Sequence, residues 1–125
     1  MTEGELKLRT KRFPLRIRDL GEALPESRSG RVVASQLGRS ATSAGANARA
    51  VGRSRSAADM ISKLAVVDEE ADESAFGLEL VADSGLWPAA RVAPLLDKAG
   101  QLTAIMVSSR PTLSGIRESR IENRK

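Results

Sequence analysis

The sequence predicts an all-α protein, an antiparallel up-down four-helix bundle with short loops. Three observations carry this. Apolar and small residues recur at alternating spacings of three and four through four separate stretches, the mark of helices that bury one face. Caps, prolines and glycines bound those stretches. No useful length of β-alternation and no fixed-period repeat interrupts them. At 125 residues the chain suits one domain, which buries roughly two-thirds of its unfolded surface.

In the first stretch Phe13, Ile17, Leu20 and Leu24 form the stripe. Pro14 is tolerated in an opening turn and disruptive later, so the helix is expected to start with Thr10 as N-cap, leaving residues 1–9 as a flexible basic arm. Leu24-Pro25 ends it, because the residue before proline is pushed from the helical region. The second stretch, about Ser29 to Gly52, carries Val33, Leu37, Ala41, Ala44, Ala48 and Val51. Ala41, Ala44, Gly45 and Ala46 leave little side chain, so a neighbouring helix is expected to approach closely there. That contact would offset the roughly 1 kcal/mol cost of a mid-helix glycine.

Ser56 and Asp59 resemble a capping box and open the third stretch, with Met60, Leu64, Val67, Ala71, Ser74, Leu78 and Val81 on its stripe. Ser84-Gly85 stops it, Gly85 serving as a left-handed cap. The fourth stretch places Leu95, Ala99, Leu102, Met106 and Ser109 in register, with Pro94 in its first turn. Trp87-Pro88-Ala89-Ala90-Arg91 is either a separate turn or part of this helix. Pro111 ends or kinks it. The predicted bundle domain thus covers residues 10–113, and residues 114–125 form a frayed, basic tail.

Composition closes most routes to an enzyme. With no Cys and no His, the chain lacks a disulfide framework, a thiolate metal site, a cysteine nucleophile and the commonest general base. No phosphate-cradling glycine loop or serine nucleophile elbow is present. The expectation is a non-enzymatic protein without cofactors or catalytic residues. One Trp, two Phe and no Tyr also disfavour an aromatic base-stacking platform. No apolar run is long enough to span a membrane and no secretory signal pattern appears, so a cytoplasmic location is expected.

The formal charge of +4 hides an uneven distribution. Residues 1–55 carry 12 Lys+Arg against 5 Asp+Glu, a balance of +7; residues 56–100 stand at −6 and residues 101–125 at +3. Such segregation favours attraction between segments or to partners. Fifteen of the 20 basic residues are Arg, which suits bidentate pairing with carboxylate or phosphate.

Two constellations follow. On the second helix Arg39, Ser43 and Asn47 share a face, and Glu70 and Glu73 on the third would pair with Arg39 as a register-setting polar network. The other readings are a buried site for a polar ligand and a carboxylate-only Mg²⁺ or Mn²⁺ site, while Asp68, Glu69 and Asp72 suit a solvated acidic face. Separately, Arg28, Arg31, Arg49, Arg53 and Arg55, joined by Lys7, Arg9, Lys11 and Arg12 of the arm, would neutralise phosphates. The same charges also suit an ordinary solvated surface or pairing with the acidic helix of another subunit.

The runs Ser35-Gln36-Leu37, Arg39-Ser40-Ala41-Thr42-Ser43, Gly45-Ala46-Asn47, Ala58-Asp59, Lys63-Leu64, Glu70-Ala71-Asp72-Glu73-Ser74, Leu78-Glu79-Leu80 and Ser84-Gly85 resemble a known family. It comprises small four-helix bundle proteins of bacterial ribosomal RNA intervening sequences, related in fold to the accessory variability protein of diversity-generating retroelements. The resemblance covers about residues 10–113. It implies a ring-like homo-oligomer, commonly a pentamer, without established enzymatic activity. It also implies, for the retroelement branch, a basic scaffold that binds nucleic acid and a reverse transcriptase. The chain departs from the family pattern at Ala50, usually acidic, and at Gly38 and Gly77, usually bulky. The expected function is a homo-oligomeric bundle with sequence-independent RNA or DNA binding through its Arg-rich first half; the alternative is a purely structural or protein-interaction scaffold.

Overall fold

A computed structural model describes residues 2–123. Among these the protein is all-α, with five helices: α1 (Glu3–Ala23), α2 (Arg28–Ala50), α3 (Ala57–Asp83), α4 (Ala89–Ser108) and α5 (Arg110–Asn123). A 3₁₀ turn at Val51–Arg53 follows α2. Consecutive helices α1 to α4 pack along their lengths, and α4 meets α1 over a far sparser contact. The four expected stripes supply most of the core. Phe13, Ile17, Leu20 and Leu24 are buried on α1, Met60 through Val81 on α3, and Leu95, Ala99, Leu102 and Met106 on α4.

The four-helix expectation needs correcting at both ends. Residue 1 and residues 124–125 of the expected arm and tail lie outside the described residues; from Glu3 onward in the arm, and through Asn123 in the tail, both segments are helical. Helix α1 begins at Glu3 because Thr2 and Glu5 form a capping box, the Thr2 side chain accepting from the Glu5 N–H and the Glu5 carboxylate from the Thr2 N–H. Leu6 extends the buried stripe two turns earlier. Thr10 is therefore no cap. It lies buried in mid-helix and its hydroxyl donates to the Lys7 carbonyl at 2.8 Å. Pro14 sits inside the helix, leaving the Thr10 carbonyl without its usual donor.

That place is also where α2 comes closest. A Cβ at Gly45 would lie 2.7 Å from the Thr10 carbonyl oxygen and 2.9 Å from Pro14 Cγ, so the expected close approach is real and only glycine permits it. The missing volume at Gly77 has a different answer. Leu37 of α2 leans into it, its Cδ2 2.8 Å from where a Cβ would stand. Gly38 faces open space within a groove between α1 and α2.

Helix α3 begins and ends as its sequence predicts. Ser56 accepts from the Asp59 N–H at 3.0 Å, though the Asp59 carboxylate reaches back one residue further, to the Arg55 N–H at 2.9 Å. Gly85 has φ +74, with the Leu86 N–H bonded to Val81 and the Gly85 N–H to Ala82, a Schellman closure. Helix α4 starts at Ala89 behind Pro88, so Arg91 belongs to it and Trp87 does not, and Pro94 falls beyond the first turn. The chain breaks at Ser109, and Pro111 opens α5, where a missing N–H costs nothing. Leu113 anchors α5 and the helix packs on the 3₁₀ turn. Arg120 donates to Glu3 at 2.9 Å, which ties the first helix to the last.

Candidate functional site

The predicted polar network divides into two parts. Arg39 spans α2 and α3 as expected, pairing with Glu70 at 3.4 Å and in closer contact with Glu73. The Arg39 hydrogen bond, with the guanidinium charge behind it, holds the Glu73 carboxyl below its ordinary value, and Glu73 in turn raises Arg39. The clasp is not buried: the Arg39 side chain is 50% exposed and that of Glu70 18%. Ser43 and Asn47 do not join it. Asn47 Nδ2 donates to the Ser43 carbonyl at 2.9 Å and to Ser43 Oγ at 3.3 Å, all within one turn of α2. An amide that bonds its own helix has no need of a partner on α3.

The buried polar link between these helices is instead Ser40 to Ser74, Oγ to Oγ at 2.8 Å, with both residues almost wholly buried. Ser74 donates onward to the Glu70 carbonyl at 2.9 Å. A serine on an apolar stripe is indistinguishable in sequence from a small space-filler, and only the facing serine on the other helix gives it away. Asp68 accepts from Thr103 of α4 at 3.3 Å. Among the described residues no three acidic side chains gather in one place.

The basic set is exposed throughout and does not form one patch. Arg28 and Arg31 open α2 while Arg49 closes it, about 30 Å away at 1.5 Å per residue. Arg53 and Arg55 continue from the Arg49 end, Arg53 within the 3₁₀ turn and Arg55 just past it. None of the five is in an ion pair among the described residues. Sequence reading missed a tighter gathering: Arg9, Arg12 and Arg16 of α1 face Lys98 of α4 across one groove. Arg16 and Lys98 are too far apart in sequence for local spacing to join them.

Two features suit a surface that other molecules cover. Val32, Phe76 and Leu80 line an apolar groove between α2 and α3, and Phe76 is 60% exposed. Leu15 and Ile61 are also exposed elsewhere. Among the described residues no helix is long and apolar enough to cross a membrane.

No family model matches the sequence, and no curated protein matches it. Among solved structures the chain is similar to a protein of unknown function from the S23 ribosomal protein family of Bacteroides thetaiotaomicron. The two share 28% identity with a TM-score of 0.75, over 82% of this chain and 95% of the other. The likeness shows that the two chains share a helical fold.

Proposed function

We infer that the protein is a non-enzymatic, self-associating helical scaffold that binds RNA or DNA without sequence preference through its Arg-rich first half. It would belong with the four-helix bundle proteins of ribosomal RNA intervening sequences, with α5 as an addition at one end. The observation that carries the nucleic-acid reading is the set of exposed arginines on α1 and α2, Arg9, Arg12, Arg16, Arg28, Arg31 and Arg49, that form no ion pair among the described residues, in a chain whose acidic residues concentrate on α3. Charges that folding does not use remain available to phosphate. The ribosomal family name of the structural neighbour makes RNA the first polyanion to test.

Binding measured against salt is expected to fall linearly on a log–log plot. No detectable binding to RNA or DNA at about 50 mM salt removes the nucleic-acid reading. The second reading, a protein-interaction scaffold, is favoured by Phe76, Leu80 and Val32 in their groove beside Glu73. Replacing Arg49 and Arg53 together with Glu separates the two. Loss of assembly with unchanged nucleic-acid affinity supports the interaction scaffold; loss of affinity with the oligomer intact supports phosphate binding. A ring-like homo-oligomer, pentameric in the family resembled, and a reverse transcriptase partner stand as proposals that mass in solution and co-purification would test.

A further inference from the structure

We propose that the groove between α1 and α4 is a binding site for a single nucleic-acid strand, with Arg9, Arg12, Arg16 and Lys98 holding successive phosphates. This rests on the nucleic-acid reading above and adds, to the exposed arginines at the end of α2, a groove that seats one strand. Arg9, Arg12 and Arg16 stand three and four residues apart, so they form one row along α1, with steps of about 4.5 and 6 Å at the helical rise. Lys98 faces this row from α4. Its ammonium touches only Gln101, at 3.4 Å, and the three arginines make no ion pair or hydrogen bond among the described residues.

The groove encloses about 220 Å³, and its floor is formed by Phe13 and Leu102, both buried in the core. Four cations held together over an apolar floor repel one another and lack counter-charge from the fold. An anion that bridges the rim removes this repulsion, and a polyanion does so at several points at once.

The size of the groove decides the form of the ligand. A duplex is too broad to enter a space of about 220 Å³ between two helices of one bundle. A single strand can turn a base or sugar face inward while its phosphates meet the rim, and the planar guanidinium groups can stack on bases in a chain with few aromatic rings. Nothing in the groove matches a specific base edge, so recognition is sequence-tolerant.

The test is fluorescence anisotropy with labelled oligo(dT), oligo(rU) and a short duplex, on the full chain and on the double variant Arg12→Gln/Arg16→Gln. Both positions are exposed, and an unchanged thermal midpoint confirms that the variant folds. Four phosphate contacts to a single strand predict a log–log salt slope of about −2.8, hence about a 50-fold loss of affinity from 50 to 200 mM salt. The double variant is expected to weaken single-strand binding on the order of tenfold and to reduce the slope by about 1.4. The control Arg28→Gln/Arg31→Gln, at the far end of α2, should leave both nearly unchanged. Equal binding by the Arg12/Arg16 variant and the wild type overturns the groove site while the wider nucleic-acid reading stands. Duplex binding as tight as single-strand binding overturns the single-strand assignment. Absence of binding by the wild type overturns both.

Discussion

The seam between α2 and α3 and the seam between α1 and α4 are built from the same chemistry to opposite effect. In the first, an arginine meets two carboxylates, two serines meet each other, and a leucine fills the hollow left by a glycine. In the second, three arginines and a lysine face one another with no acid between them. The difference is where the acidic residues fall: α3 carries them within reach of Arg39, and among the described residues none lines the α1–α4 groove. A charge that folding neutralises serves the fold. One that folding leaves open can serve a partner.

The largest effect expected at the closed seam comes from packing. Leu37 is 2% exposed, and Leu37→Ala should cost about 3 kcal/mol by removing buried contacts and opening a cavity. Because Leu37 occupies the space over Gly77, Gly77→Ala should recover about 1 kcal/mol more in the Leu37→Ala background than in the wild type. The double-mutant cycle subtracts the intrinsic helix preference of alanine, which acts equally in both backgrounds. Additive denaturation free energies would show that the two residues do not share that space.

A smaller effect belongs to the serine pair. Ser74→Ala takes away the acceptor of the Ser40 hydroxyl and should cost about 1 kcal/mol. Ser40 keeps only a longer contact to the Leu37 carbonyl, at 3.3 Å. Replacing both serines with alanine should cost less than the two single changes together, since no buried hydroxyl is then left alone. Chemical denaturation of the three variants measures this, and a double variant worse than the sum would refute the pairing.

Much of this contrast was legible in the sequence, and the limits have physical causes. Spacing found the buried stripes because a helix on a core imposes its period on the chain, and the opposite charges of Arg39 and Glu73 pointed to each other across α2 and α3. The ends were misjudged. Pro14 argued for a first turn, but Thr2, Glu5 and Leu6 outweigh it, and α5 is held by Leu113 and by the Arg120–Glu3 pair at opposite ends of the chain. Periodicity puts Asn47 on the face of Arg39 and so in the expected network, whereas a carbonyl one turn away satisfies it first. The open groove depends on two helices that are not consecutive, and no local pattern joins Arg16 to Lys98.

The smallest effect separates the two seams by pH. Glu73 titrates below its ordinary range in the folded protein because Arg39 bonds its charged form. A carboxylate with a lowered folded value adds stability that is present above its unfolded value and is lost as pH falls through the folded one. The difference in thermal midpoint between the wild type and Arg39→Gln should therefore be full at neutral pH and close once the solution is acidic enough to protonate Glu73. Arg39 itself, shifted upward, contributes no change in this window. At the open seam no carboxylate is paired with Arg12 among the described residues, so any difference between the wild type and Arg12→Gln should stay level through the same acid range. Thermal scans at fixed ionic strength test both. A gap for Arg39→Gln that persists unchanged in strong acid means the clasp adds nothing to folding, and a gap for Arg12→Gln that closes with it means a carboxylate neutralises the groove after all.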